Sequence, residues 1–170
     1  RIDDVPARLL IAQFLNEKVN LRGDAYGGSR ENRMRFLVEV LQAARQGAGP
    51  DMALGVRLSI DEKDHDGLEP DEMIAVATEL AAMGVVDYLN VTAGTSAGLA
   101  GSTHIVPPMS FETAYTAPLA ARIKAQVEVP VFVAGRINQP QIAEEVLRTA
   151  QADMCGMTRA LIADPRMPGS

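Results

Sequence analysis

The chain has 170 residues, 47% of them hydrophobic, and a mean hydropathy near zero, which places it among globular proteins and excludes disorder as its main content. Sixteen Lys and Arg against 22 Asp and Glu leave a net charge of -6, the wrong sign for a general nucleic-acid surface, so no nucleic-acid partner is expected. The single Cys155 excludes an internal disulfide, and His65 and His104 form no zinc pattern. No apolar run reaches the roughly 18 residues of a membrane span, so a cytoplasmic location and no membrane partner are expected.

In chain order, the stretch from Pro6 to Val19 predicts a first helix. Phe36, Leu37, Val40, Leu41 and Ala44 then recur at helical spacing after Ser29, whose hydroxyl suits an N-cap. Ala53 to Leu58 (ALGVRL) reads as a strand. Pro70, the acidic Asp71 and Glu72, then Met73, Ile74, Ala77 and Leu80, with Gly84 as a stop, predict a helix marked at both ends. Tyr88 to Thr92 (YLNVT) is a second strand, followed by one long loop, Gly94 to Pro108. Thr116 opens a helix running to about Gln126. Val129 to Ala134 (VPVFVA) is a third strand. Asn138 with Gln141 resembles a capping box for a helix over Gln139 to Ala150, and Asp153 to Gly156 is a weaker fourth strand.

The strand runs are near-continuously apolar, as expected of parallel strands covered on both faces. Their alternation with helices predicts right-handed βαβ units and an α/β fold. A complete (β/α)8 barrel needs roughly 200–250 residues, so about half to two-thirds of one fits here. The termini, Arg1 without a preceding Met and Pro168-Gly169-Ser170, read as the ends of a piece of something longer.

In such folds ligand-bearing groups sit where strands end. Gly135 and Arg136 follow the third strand; Gly156, Met157, Thr158 and Arg159 repeat the pattern after the fourth. Glycine lets the backbone come close to a ligand, and arginine offers a cationic fork. Two such loops side by side suit one phosphate, the alternative being simple turns with solvated arginines. Arg57, inside an apolar strand, is costly to bury without a partner. Either it stabilises negative charge on an electron-accepting ring or it pairs with an acidic residue after Ile60.

The string QFLNEKVNLRGDAYGGSRENRMRFLVEVL (Gln13 to Leu41) resembles the old yellow enzyme family pattern Gln-Phe-Leu, then Asn-x-Arg-x-Asp-x-Tyr-Gly-Gly-Ser-x-Glu-Asn-Arg. The likeness continues through GVRLS, YLNVTAGT, PVFVAGRI and GMTRALIADP, and it is nearest to the branch of 2,4-dienoyl-CoA reductase and the trimethylamine or histamine dehydrogenases. It implies that residues 1–170 are a single domain, a partial (β/α)8 TIM barrel holding roughly strands 4 to 8. It further implies FMN as cofactor, NADH or NADPH as electron donor, and a small-molecule substrate, either an activated alkene or an amine, with hydride passing through the flavin N5. By position, Arg57 resembles the arginine beside the flavin N1 and O2. Gly135, Arg136, Gly156, Met157, Thr158 and Arg159 resemble the phosphate cradle. Gln13 and the Tyr26 to Arg33 signature read as architectural.

The chain also departs from that family. The family's substrate-binding His pair falls on Asp4 and Ala7 and its proton-donating Tyr on Leu9, none of which is chemically equivalent. Asp4 suits a cationic amine instead. The lone Cys155 cannot ligate an iron–sulfur cluster and reads as a core thiol. His104 reads as a surface histidine, the alternative being reach toward a substrate, and His65 lies in the acidic loop DEKDHDGLEPDE. Two rivals to the flavin enzyme stand: a flavin-free phosphate-binding barrel lyase or isomerase, and an inactive half-barrel whose open sheet edges make it a homo-oligomer.

Overall fold

The computed structural model describes residues 5–167, with side chains described from residue 10 onward. Four strands, β1 (Gly55–Asp61), β2 (Tyr88–Ala93), β3 (Val131–Ala134) and β4 (Met154–Gly156), form one parallel sheet in chain order. Before β1 come α1 (Val5–Leu15) and α2 (Arg30–Ala48). The crossovers carry α3 (Pro70–Ala82), then α4 (Leu99–Ile105) with α5 (Ala117–Lys124), then α6 (Pro140–Arg148), and α7 (Thr158–Ala163) follows β4. Asp4 lies outside the described residues, as do the side chains of Ala7 and Leu9. Among the described residues no helix is long and apolar enough to cross a membrane.

The helices bury one face of the sheet. Val56, Leu58 and Ile60 of β1, Leu89 and Val91 of β2, and Val131 and Val133 of β3 pack with Leu41, Leu80, Ala120 and Ile123, which are fully buried. Burying side chains of this size stabilises by roughly 1.5–3 kcal/mol each, so this layer is the main source of stability. The opposite face carries Gly55, Arg57, Ser59 and Asp61, all half-buried. The expectation of cover on both faces is therefore corrected. Burial alternates along β1 because the helices pack on one side of the sheet only.

Local chemistry explains the element ends. Ser29 Oγ accepts from Asn32 N at 3.3 Å, as a cap should, and Pro70 opens α3. The first helix ends at Leu15, short of the expected Val19, because Asn16 turns the chain: its Oδ1 takes the Lys18 N–H at 2.8 Å. Asn138 does not cap α6. Gln139 holds that position without a side-chain bond, and Pro140 sets the start through its fixed φ. Thr116 precedes α5 but makes no cap either, since its hydroxyl donates to Ala134 O at 3.1 Å. The stretch Gly94 to Pro108, expected as loop, contains α4, a helix of 7 residues too short for periodicity to reveal.

The Tyr26 to Arg33 signature is a joint between elements. Arg33 is 5% exposed, and its Nε donates to Leu15 O at 2.9 Å. Its two terminal nitrogens reach Gly28 O and the Glu72 carboxylate. Arg30 grips the same Glu72 at 2.9 Å and Glu79 at 3.0 Å. One cluster of charges thus ties the end of α1, the glycine turn and α3 together.

Candidate functional site at the strand ends

A parallel sheet delivers every strand's carboxyl end to one side of the molecule. Ala134 and Gly156 are register partners, so Gly135-Arg136 and Met157-Thr158-Arg159 leave the sheet as neighbouring loops. Arg136 takes a left-handed backbone, φ 52°, uncommon for a residue with a Cβ. Its guanidinium donates to Phe111 O, while Arg159 donates to Pro107 O at 3.0 Å. Two arginines from two strand ends therefore meet the same segment, 107–111, through its main-chain carbonyls. Arg159 and Thr158 are exposed, and Arg136 and Met157 are half-buried.

The glycines are constrained by protein as well as by any ligand. A Cβ on Gly135 would overlap Thr116 Oγ1, and Thr116 is fully buried. What Gly135 can offer a ligand is its main chain. At Gly156 a Cβ would stand 3.1 Å from the Ala134 Cβ, tighter than an ordinary contact.

Arg57 occupies the half-buried face of β1, opposite Asn90 of β2. The acidic residues after Ile60 do not pair with it. Asp61 binds Lys63 at 2.6 Å, and Glu62 takes the Leu68 N–H at 2.9 Å. Arg57 Nε is buried with no hydrogen-bond partner among the described residues, and so is Asn90 Oδ1. The salt-bridge alternative is thereby corrected: among the described residues Arg57 forms no ion pair, and Asp61 and Glu62 are held within their own loop.

Arg57, Ser59, Gly94, Thr95 and Ser96 border a cavity of about 130 Å³ whose other wall includes Ile11 and Leu15. Arg136 and Arg159 lie outside that lining. Drug-sized ligands occupy roughly 300–1,000 Å³, so this space takes only part of one.

His104 is half-buried in the last turn of α4 and not a free surface group. Its ring meets Phe111 edge-on at 4.8 Å, and its Nδ1 lies 2.9 Å from Ala100 O. Tyr115 donates its hydroxyl to His104 O. Burial pushes the Tyr115 pKa above the ordinary 10.0, with the Arg159 charge opposing and Asp61 assisting, so this hydroxyl keeps its proton at neutral pH. Cys155 packs half-buried against the core, and burial raises its pKa too. Segment 107–111 escaped the sequence reading, and Thr116 figured there only as the start of a helix.

A model of the NADH:flavin oxidoreductase / NADH oxidase family matches residues 8–169. The N,N-dimethylglycine/sarcosine dehydrogenase of Chromohalobacter salexigens is 41% identical over 158 residues, covering 93% of this chain and 23% of that protein. The multifunctional alkene reductase/demethylase OYE of Caballeronia cordobensis is 38% identical over 159 residues, 93% of this chain and 23% of that protein. Among solved structures, a complex of 2-naphthoyl-CoA reductase with 2-naphthoyl-CoA aligns with a TM-score of 0.79 at 33% identity, over 94% of this chain and 24% of that one. The chain thus spans just under a quarter of the length of the curated relatives it matches. The shared architecture makes the four-stranded sheet and its helices part of a (β/α)8 barrel.

Proposed function

Because the chain belongs to the NADH:flavin oxidoreductase / NADH oxidase family, we propose that its strand ends hold FMN in an oxidoreductase acting on a small molecule. FMN and NAD(P)H are the cofactors of that family. The observation that carries the reading is the convergence of Arg136 and Arg159, from adjacent strand ends, on one segment.

Each guanidinium has five N–H donors and spends one on a carbonyl, which leaves the rest of the fork for a phosphate dianion. Main-chain groups of Gly135, Gly156, Met157 and Thr158 complete the cradle. Arg57 fits the isoalloxazine end, because it is a cation with no carboxylate partner among the described residues and can therefore stabilise negative charge on a ligand. Bound FMN supplies hydride transfer between the nicotinamide and the substrate through its N5.

The substrate class follows the relatives in outline, an amine or an activated alkene. Asp4, Ala7 and Leu9, which stand where the family's substrate-binding and proton-donating residues are expected, bear on that choice. The full-length protein is expected to purify with a visible flavin absorption band. Arg136→Ala with Arg159→Ala should weaken FMN binding at least about 100-fold, since each charge-assisted contact contributes roughly 1.5–3 kcal/mol. Undiminished flavin content in the double variant would overturn the phosphate assignment. Purification with a sugar phosphate and no flavin would favour the lyase or isomerase reading.

A further inference from the structure

Asn90 stands out among residues the flavin reading does not use. Register pairs it with Arg57 on one side and with Phe132 on the other, and Phe132 pairs in turn with Met154. Across this row of the half-buried face, Arg57 is the one polar neighbour Asn90 has. Both side chains hold a buried atom with no hydrogen-bond partner, and the two are complementary: the Nε–H of Arg57 is a donor and the Asn90 Oδ1 an acceptor. Leaving either unmet costs about 1–3 kcal/mol. The two residues are register partners on neighbouring parallel strands and their unmet atoms do not bond each other directly, so one bridging water satisfies both.

Resting on the flavin reading, we propose that Asn90 is a positioning residue for Arg57. Its amide oxygen takes the Nε–H through a bridging water and fixes the plane of the guanidinium so that the terminal nitrogens are aimed at the anionic side of the cofactor. The choice of an amide is physically specific. An Asp at this position would also hold Nε–H, but it would cancel the positive charge. An apolar residue would preserve the charge and leave Nε–H buried and unpaired. Asn orients the cation and leaves its charge intact. Phe132, stacked on Tyr88 at 4.8 Å, closes the row on the other side and offers Oδ1 no competing donor.

The test uses the full-length flavoprotein and two readouts of charge at the flavin: its midpoint potential and the dissociation constant of its adduct with sulfite, an anionic probe. Asn90→Asp should lower the potential and weaken sulfite binding about tenfold or more, the usual effect of neutralising an adjacent charge. Asn90→Leu should weaken sulfite severalfold, and that effect should vanish in an Arg57→Ala background, which a merely structural role for Asn90 would not produce. If Asn90→Asp loses its flavin, the Leu variant and its cycle with Arg57→Ala decide the matter. Flavin bound normally, with an unshifted midpoint potential and a sulfite dissociation constant within twofold of wild type in the Asp and Leu variants, overturns the role of Asn90 and leaves the flavin reading standing. Full-length protein that binds no flavin overturns both.

Discussion

At position 135 one methyl group decides whether the third strand end can form. The ideal Cβ would overlap the hydroxyl of Thr116, which is itself bonded to the neighbouring Ala134 carbonyl. Gly135→Ala is expected to cost about 1–3 kcal/mol through overpacking, read as a lower midpoint of thermal unfolding. Adding Thr116→Ala should return part of that loss, because it removes the colliding atoms; no recovery would mean that the strain lies elsewhere. The sequence marks Gly135 as special but cannot say why. Thr116 lies nineteen residues earlier, and only the fold brings the two together. Arg57 is the converse case. The cost of burying a cation in an apolar strand was readable directly, whereas its neighbour Asn90 needed the register of two strands. Arg136 and Arg159 were legible as a pair through their repeated glycine-arginine pattern. Their separate contacts, Arg136 with Phe111 O and Arg159 with Pro107 O, were not, since main-chain carbonyls leave no trace in residue identity.

Among the elements, α2 and α3 are joined by the charge cluster around Glu72. Hydrogen bonding from Arg30 holds the Glu72 carboxyl below its ordinary value of 4.5, against the opposing effect of burial. The sign follows from linkage: with the folded pKa depressed, the stabilisation is complete above the unfolded value and is lost as pH falls through the folded one. Stability should therefore begin to decline below about pH 4.5. Glu72→Gln should lose about 3 kcal/mol near neutrality, because buried Arg33 keeps only the exposed Glu17 at 3.6 Å as counter-charge, and should show a shallower acid decline than wild type. Urea unfolding at neutral pH and at about pH 3 checks both. Glu31→Ala, by contrast, removes a side chain 85% exposed and should change stability by less than about 1 kcal/mol. These two helices were readable because their ends carry local signals, Ser29 and Pro70. Helix α4 was not: Gly, Ser and Thr obscure so short a helix, and its place is set by what it packs beneath.

Taken whole, the chain presents a sheet finished on one face and open on the other. Among the described residues β1 and β4 each pair on one side only, so both edges offer unmatched main-chain donors and acceptors. Along the open face run Tyr88, Phe132 and Met154, the last 52% exposed. Among the described residues the 170-residue chain has no further strand to pair with these edges. Produced by itself, it should associate through the open edges and run well above 18.2 kDa in sedimentation. Met154→Lys puts a charge on the edge strand at a half-exposed apolar side chain, where burial against a second copy would strand an ammonium group. That variant should shift the segment toward monomer without altering its helix and strand content by circular dichroism. FMN should bind either form far more weakly than the full-length protein, because a cavity of about 130 Å³ cannot surround the ring system. A monomeric wild-type segment would show that β1 and β4 protect their own edges, and tight FMN binding by that monomer would place the whole cofactor site within these four strands.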